Sequence, residues 1–221
     1  MIIYGKILST DRLPVKEVEL RQRISLLPFG EAEQARLLSK SHLPSLAQSL
    51  TVRLALAELM QTLGLSPRSM IRDREGKPRF EGALAPSFSL SHAKNLGLAI
   101  LTEEDTPIGA DLELFSPLRR EEPLVTRFFP ADRQARWADA ADPRREFLRL
   151  WTEMEAIAKC EGQGLAPLLR QDVSFPPHSL RSCTIQTKDQ WGVITLCAQK
   201  PITEIQWITD QKEITVYEIQ N

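Results

Sequence analysis

The sequence predicts an α+β fold of two similar halves, each with a helix packed on a small and mainly antiparallel sheet. One observation behind this prediction is that a long helix pattern precedes a group of strand patterns, and that this order occurs twice along the 221 residues. The other is an acidic break at 103–105, which separates the two groups. The predicted halves are therefore 1–104 and 105–221.

Helical periodicity and the residues that start and stop helices locate the predicted helices. Helix patterns occupy 14–26, 31–39, 44–63, 120–140 and 143–163. The pattern at 44–63 is the strongest of the first half, because Pro44 suits the first turn of a helix and Gly64 suits its exit.

Alternation of apolar and polar residues locates the predicted strands. Strand patterns occupy 2–8, 87–91, 96–102, 107–114, 181–188, 191–199, 203–209 and 213–219. The stretch 75–78 predicts a turn between short extended pieces, because its Gly and Pro favour turn conformations.

Composition is that of an ordinary globular protein, with 42% hydrophobic and 26% charged residues. The net charge of −1 produces no general attraction to nucleic acid or to anionic membrane, so neither is an expected partner. The start of the chain lacks the apolar block of a signal peptide, and no apolar run reaches the length of a membrane span. We therefore expect a cytoplasmic protein.

Cysteine and histidine spacing predicts neither a disulfide framework nor a zinc site. The three cysteines are an odd number without a Cys-x-x-Cys pair, which favours reduced thiols. His42 and His178 have no His or Cys neighbour at ligand spacing, so zinc is not expected.

The strand pattern 107–114 places Gly109, Asp111 and Glu113 on one face. Two carboxylates on one face can belong to a solvated outer surface. They can also form a site for a hard cation such as Mg²⁺, which prefers oxygen ligands and shares them with substrate phosphates. In that case Gly109 would let a ligand approach the backbone closely.

The helix pattern 143–163 aligns Trp151, Glu155 and Lys159 in one stripe, because they recur every four residues. Glu155 and Lys159 can form a surface ion pair, which stabilises a helix by only about 0.3–0.5 kcal/mol. Beside Asp111 and Glu113, however, they would supply a third carboxylate and a phosphate-binding ammonium.

Two further motifs carry possible phosphate ligands. A strand pattern ends in Ser91-His92, and hydroxyl and imidazole groups both donate hydrogen bonds to phosphate oxygens. An outward Ser row with a capping His is the alternative interpretation. Gly76-Lys77-Pro78 can likewise be a simple turn. Gly-x-Ser-x-Gly is absent, which argues against a serine hydrolase.

These motifs, in this order, resemble the 4′-phosphopantetheinyl transferases of the larger, monomeric Sfp-like type. The family pattern is a Gly-x-Asp-x-Glu strand followed by a Trp/Phe-(Ser/Thr/Cys)-x-Lys-Glu-(Ala/Ser)-x-x-Lys helix. Here the strand is 109–113 and the helix is 151–159. Gly76-Lys77-Pro78 and the Ser91-His92 strand end stand where the family has its corresponding motifs, and the resemblance covers about 53–164.

The resemblance implies coenzyme A in a cleft between two similar halves of a monomer, with Mg²⁺ on its pyrophosphate. The implied Mg²⁺ ligands are Asp111, Glu113 and Glu155, and the implied catalytic residues are Glu155, Lys159 and Asp111. The residues implied at coenzyme A are Arg53, Gly76, Lys77, Pro78, Ser91, His92 and Lys159. Among them, Lys159 and His92 would contact phosphates, and the turn 76–78 would border the adenine.

The implied reaction transfers phosphopantetheine from coenzyme A to a serine of an apo acyl or peptidyl carrier protein and releases 3′,5′-ADP. Glu155 would accept the serine proton, directly or through a bound water. Met154 stands where the family usually has Lys, and 30–45 is poor in the cations that relatives often place there. These departures are the best support for one alternative, a non-catalytic relative that binds coenzyme A or carrier protein. A second alternative is an unrelated Mg²⁺-dependent phosphohydrolase built on the same three acids.

Overall fold

The computed structural model describes residues 1–117, 120–165, 178–208 and 213–219. It has the predicted α+β architecture, with helices and two antiparallel-rich sheets. Within these ranges, no helix combines the length and the apolar character that crossing a membrane requires.

The helices confirm most of the predicted positions. They are α1 (Glu17–Ser25), α2 (Glu31–Leu38), α3 (Leu43–Thr62), α4 (Glu122–Phe128), α5 (Ala131–Ala138) and α6 (Pro143–Glu161), and a short 3₁₀ turn spans Thr10–Arg12. The single helix predicted over 120–140 is wrong: α4 and α5 are separate, because Pro130 holds Phe129 in an extended conformation.

The strands also follow the prediction, and the short extended pieces predicted around the turn 75–78 form a hairpin. They are β1 (Ile2–Ser9), β2 (Met70–Arg72), β3 (Pro78–Phe80), β4 (Ser87–Ala93), β5 (Leu96–Thr102), β6 (Ile108–Leu114), β7 (Ser179–Gln186), β8 (Trp191–Ala198), β9 (Glu204–Trp207) and β10 (Thr215–Glu218). Residue 209, predicted to end the strand pattern 203–209, lies outside the described residues.

Two four-stranded sheets form the centre of the fold. The first has the order β4-β5-β1-β9 and the second the order β10-β7-β8-β6. Strand β9 comes from the second half of the chain but pairs in parallel with β1 of the first, with Ile205 opposite Ile3. One strand of the predicted second half thus belongs to the sheet of the predicted first half.

The apolar faces of the two sheets pack on each other, and the long helices cover their outer faces. Ile7 and Leu98 of the first sheet share one core cluster with Leu112 and Ile194 of the second. Helix α3 packs on the first sheet, and α6 packs on β6 and β8 of the second.

A buried ion pair joins α2 to α3. The carboxylate of Glu33 is 3% exposed and accepts hydrogen bonds from Arg36 at 2.7 and 2.8 Å and from Arg53 at 2.8 Å. Burial by itself raises the pKa of Glu33, but the Arg36 hydrogen bonds and the charge of Arg53 outweigh it and lower the pKa to about 2. The carboxylate is therefore held ionised between the two helices.

We expect Glu33→Gln to reduce the loss of unfolding free energy that occurs as the pH falls into the acid range. Folded Glu33 binds its proton more weakly than the unfolded chain does, so its stabilisation is present above its ordinary pKa of 4.5 and is lost as pH falls toward 2. At pH 3 the loss in the wild type is about 2 kcal/mol.

Urea denaturation from pH 5 to pH 3 measures this loss, which Glu33→Gln should lack. The exposed Glu31 on the same helix supplies the control variant Glu31→Gln, which should behave like the wild type. An unchanged pH dependence in Glu33→Gln would contradict the role given to this ion pair.

Candidate active site

The edge strands of the two sheets are joined by serine side chains. The hydroxyl of Ser89 on β4 accepts a hydrogen bond from the amide of Ala110 on β6 at 3.0 Å, and that of Ser91 accepts one from Leu112 at 3.3 Å. Ser89 was not among the predicted site residues, although the alternation of serines along this strand was the available signal. This seam brings β4 beside the acidic face of β6.

Helix α6 lies against the same strand at Gly109. A Cβ atom at this position would overlap the carbonyl oxygen of Ala156 and the amide nitrogen of Cys160. The prediction that Gly109 admits a ligand is therefore wrong, because the helix backbone occupies that space. The close approach places the side chains of α6 directly beside Asp111.

The predicted stripe on α6 is present, since Trp151, Glu155 and Lys159 are half-buried between fully buried neighbours. The ammonium of Lys159 lies 2.7 Å from Oδ1 of Asp111 and 3.0 Å from the hydroxyl of Ser91. Ser91 in turn donates to the same Oδ1 at 2.8 Å. Within the described ranges Lys159 therefore pairs across elements with Asp111, not with Glu155 along the helix.

The second oxygen of Asp111 identifies a position for a cation. Asp111 is 4% exposed, and within the part of the chain that the structure describes its Oδ2 is buried without a hydrogen-bond partner. A buried oxygen of this kind is costly to leave unpaired. A hard cation such as Mg²⁺ would satisfy it, so the residues present fit such an ion.

Glu155 and Glu113 complete an acidic group around Asp111. Burial raises the pKa of Glu155, the negative charge of Asp111 raises it further, and Glu113 adds to the effect against the opposing Lys159. The side chain of Trp151, like Lys159, acts in the opposite direction and lowers the pKa of Glu155. The fold thus brings together the three carboxylates that the sequence placed on two separate elements.

His92 lies at the end of β4, beside this group. It lines a cavity of about 600 Å³ together with Glu113. Burial lowers the pKa of His92, the cations Lys159 and Lys40 lower it further, and Asp111 opposes them. The imidazole is therefore neutral at pH 7 and has one N–H to donate.

The turn of Gly76, Lys77 and Pro78 lines a second cavity of about 260 Å³, together with 88–90 of β4 and Lys159. The ammonium of Lys77 itself donates to the carbonyl oxygens of Ile108 and Cys160, both at 3.2 Å. Lys77 therefore holds the end of α6 to the start of β6.

Arg53 is placed differently from the other predicted residues. It is 7% exposed, and its guanidinium is bonded to Glu33 and to the carbonyl oxygen of Ser49. Burial lowers the pKa of Arg53 to about 10, against the effect of Glu33. Its charge still acts on His92, so its influence reaches the site through the electrostatic field rather than by a direct contact.

The residues at which this chain departs from the family pattern can also be located in the fold. Met154 is 2% exposed and packs in a core cluster with Phe147 and Leu150, so the replacement of the usual Lys lies in the packed interior. In the segment poor in cations, His42 caps the start of α3 through the amide of Ser45.

Comparison with known proteins agrees with the motif order. Residues 107–215 match the model of the 4′-phosphopantetheinyl transferase superfamily. The chain is 32% identical over 141 residues to the 4′-phosphopantetheinyl transferase HetI of Nostoc sp., a match that spans 61% of this chain and 58% of HetI. It is 25% identical over 185 residues to the 4′-phosphopantetheinyl transferase AcpT of Salmonella typhi, spanning 82% of this chain and 91% of AcpT. It is 26% identical over 218 residues to the 4′-phosphopantetheinyl transferase psf-1 of Bacillus pumilus, spanning 89% and 91%.

We expect Gly109→Ala to lower the free energy of unfolding by about 3 kcal/mol or more, at the upper end of the usual cost of overpacking. The added methyl group would meet backbone atoms of α6, which cannot rotate away as a side chain can. Urea denaturation measures the effect. Gly164→Ala is the control, because a Cβ there meets nothing within 4 Å, and it should change stability by less than about 0.5 kcal/mol.

Two serine variants distinguish the hydrogen bonds that join β4 to β6 from those that Ser91 makes within the acidic site. Ser89→Ala and Ser91→Ala should each cost about 1–3 kcal/mol of stability, because each leaves a buried amide unpaired. Of these two serines, only Ser91 contacts Asp111 and Lys159, so only Ser91→Ala should weaken the rise in Tm that we expect Mg²⁺ to produce. Equal Mg²⁺ responses of the two variants would contradict this distinction.

Proposed function

This chain belongs to the 4′-phosphopantetheinyl transferase superfamily, and on that premise we propose that it transfers phosphopantetheine from coenzyme A to a serine of an apo carrier protein. The observation that carries the proposal is the meeting of Asp111, Glu113 and Glu155 with Lys159 at the seam between the sheets. Three acids and an ammonium at one place suit a reaction on a pyrophosphate.

Mg²⁺ is the proposed metal, held by Asp111, Glu113 and Glu155. The Oδ2 of Asp111, unpartnered among the described residues, supports this assignment, as do the burial and the repulsion by Asp111 that raise the pKa of Glu155. When bound, Mg²⁺ would supply positive charge where negative charge develops on the pyrophosphate. Lys159 would bind the same phosphates, and its ion pair with Asp111 would break when it does.

The proposed bond changes are those of a substitution at phosphorus. The serine oxygen of the carrier protein forms a bond to the β-phosphorus of coenzyme A, and the bond from that phosphorus to the bridging oxygen breaks, releasing 3′,5′-ADP. Glu155 is the proposed base for the serine proton. It would accept the proton directly or through a bound water.

Coenzyme A is proposed to occupy the two cavities on either side of Lys159 and Asp111. The turn 76–78 would border the adenine in the smaller cavity, and Ser91 and His92 would donate hydrogen bonds to phosphates. Lys40 and Arg53 would add positive potential, since both charges act on His92. The buried Arg53 would therefore contribute positive potential at His92 without contacting coenzyme A.

The proposed partner is an apo acyl or peptidyl carrier protein, and the proposed type is the Sfp-like monomer with two halves. The matches that span 91% of both AcpT and psf-1 support the proposed activity, and the motif order supports the proposed type. A non-catalytic relative is less well supported, because Met154, its best argument, packs in the core away from solvent.

Mass spectrometry tests the reaction directly. The chain is incubated with coenzyme A, Mg²⁺ and several apo carrier proteins, and the carriers are weighed for covalent gain of phosphopantetheine. Asp111→Ala should nearly abolish the gain. Glu155→Gln should lower its rate roughly 10²–10⁴-fold, the usual contribution of a general base. Lys159→Ala should raise the KM for coenzyme A.

The control variant Glu103→Gln, at an exposed acid between β5 and β6, should retain the wild-type rate. Wild-type turnover by Glu155→Gln would remove Glu155 from the mechanism. Binding of coenzyme A without any gain of mass would favour the non-catalytic relative, and phosphate release without a carrier would favour a phosphohydrolase.

A further inference from the structure

A second cluster of metal-binding side chains lies at the C-terminal end of α6, outside the acidic site. It consists of Cys160, His178 and Cys197, whose ligand atoms all lie within 4.8 Å of one another. The spacing of these residues along the chain predicted no zinc site, because spacing does not show which residues strand pairing and helix packing bring together. Cys197 on β8 stands opposite Gly109 on β6, where α6 presents Cys160.

The cluster is buried, and its histidine contacts a carboxylate that a further hydrogen bond holds in place. Cys160 is 2% exposed, Cys197 is 0% exposed, and the side chain of His178 is 4% exposed. Nε2 of His178 lies 2.6 Å from a carboxylate oxygen of Glu161, which also accepts a hydrogen bond from Gln199 at 2.9 Å. A carboxylate in contact with an imidazole is the usual partner that orients a metal-binding histidine.

Charges of both signs lie near the thiols, since the carboxylate of Glu161 disfavours the thiolate of Cys160 and the ammonium of Lys77 favours it. The ammonium of Lys77 reaches the carbonyl oxygen of Cys160 at 3.2 Å, and a nearby cation favours the thiolate over the thiol. The thiol of Cys160 donates a hydrogen bond to the carbonyl oxygen of Pro107 at 3.3 Å, which it would give up on losing its proton.

We propose that Cys160, His178 and Cys197 bind a zinc ion. Two thiolates and one imidazole form a soft ligand set that selects Zn²⁺ over Mg²⁺. Tetrahedral Zn²⁺ holds such ligand atoms roughly 3.5–3.8 Å apart, so the cluster needs to contract by no more than about 1 Å. Both cysteines release their protons on binding, and a fourth position stays open to a small ligand such as water.

Bound zinc would fasten the last turn of α6 to β8 and to the residue that precedes β7. That turn contains Lys159, the neighbour of Cys160 and the ion-pair partner of Asp111. The zinc site is therefore a structural support at the end of the helix that carries the acidic site, and it is separate in ligands and in metal preference.

Metal titration of the full chain tests the proposal. The reduced protein is freed of metal with a chelator and titrated with Zn²⁺ against a coloured competing chelator, and then with Co²⁺ for absorption spectra. We expect one equivalent of Zn²⁺, a rise in Tm on binding, and thiolate-to-cobalt charge-transfer absorption. Cys160→Ser and Cys197→Ser should each weaken Zn²⁺ binding by at least about 100-fold, since each removes a ligand.

Cys183→Ser is the matched control, because Cys183 is also buried in the second sheet but lies outside the cluster. It should bind Zn²⁺ like the wild type, and so should Asp111→Ala, which alters only the acidic site. Wild-type protein that binds no Zn²⁺, or a Co²⁺ complex without thiolate absorption, would overturn the proposal even if the serine variants fold poorly. A disulfide between Cys160 and Cys197 in place of metal binding would overturn it as well.

Discussion

The close packing of α6 on β6 at Gly109 is the contact on which the rest of the molecule depends. Because the helix backbone lies directly on the strand, the side chains of Glu155 and Lys159 reach Asp111 without spanning a gap. A side chain at position 109 would keep the helix and the strand apart. The same contact also brings Cys160 to Cys197, so one glycine positions both side-chain clusters.

Around that contact, burial and like charges both disfavour the ionised form of Glu155. Burial and the negative charge of Asp111 raise the pKa of Glu155, and the ammonium of Lys159, 2.7 Å from Asp111, opposes that rise. An arrangement of this kind stores unfavourable electrostatic energy that a bound cation would relieve. Strained electrostatics at a cleft is a common property of functional sites.

Local rules were sufficient for much of this fold. The periodicity of α3 and α6, the two-faced pattern of β6 and the stripe of Trp151, Glu155 and Lys159 all follow from side-chain spacing, and each lies as predicted. The break between α4 and α5 at Pro130 was missed, although its steric cause is local. Motif order pointed to Asp111, Glu113 and Glu155, because their residue types and spacing are visible in the chain.

The sequence by itself therefore determined the elements, their faces and the acids offered on each, since these depend on neighbours along the chain. Only the tertiary structure decided that α6 fills the space at Gly109 and that Lys159 pairs with Asp111. It also decided that Arg53 is bound to Glu33 and that Met154 lies in the core. These contacts join residues far apart in sequence, and the packing of helices and sheets, not chain spacing, sets the distances between them.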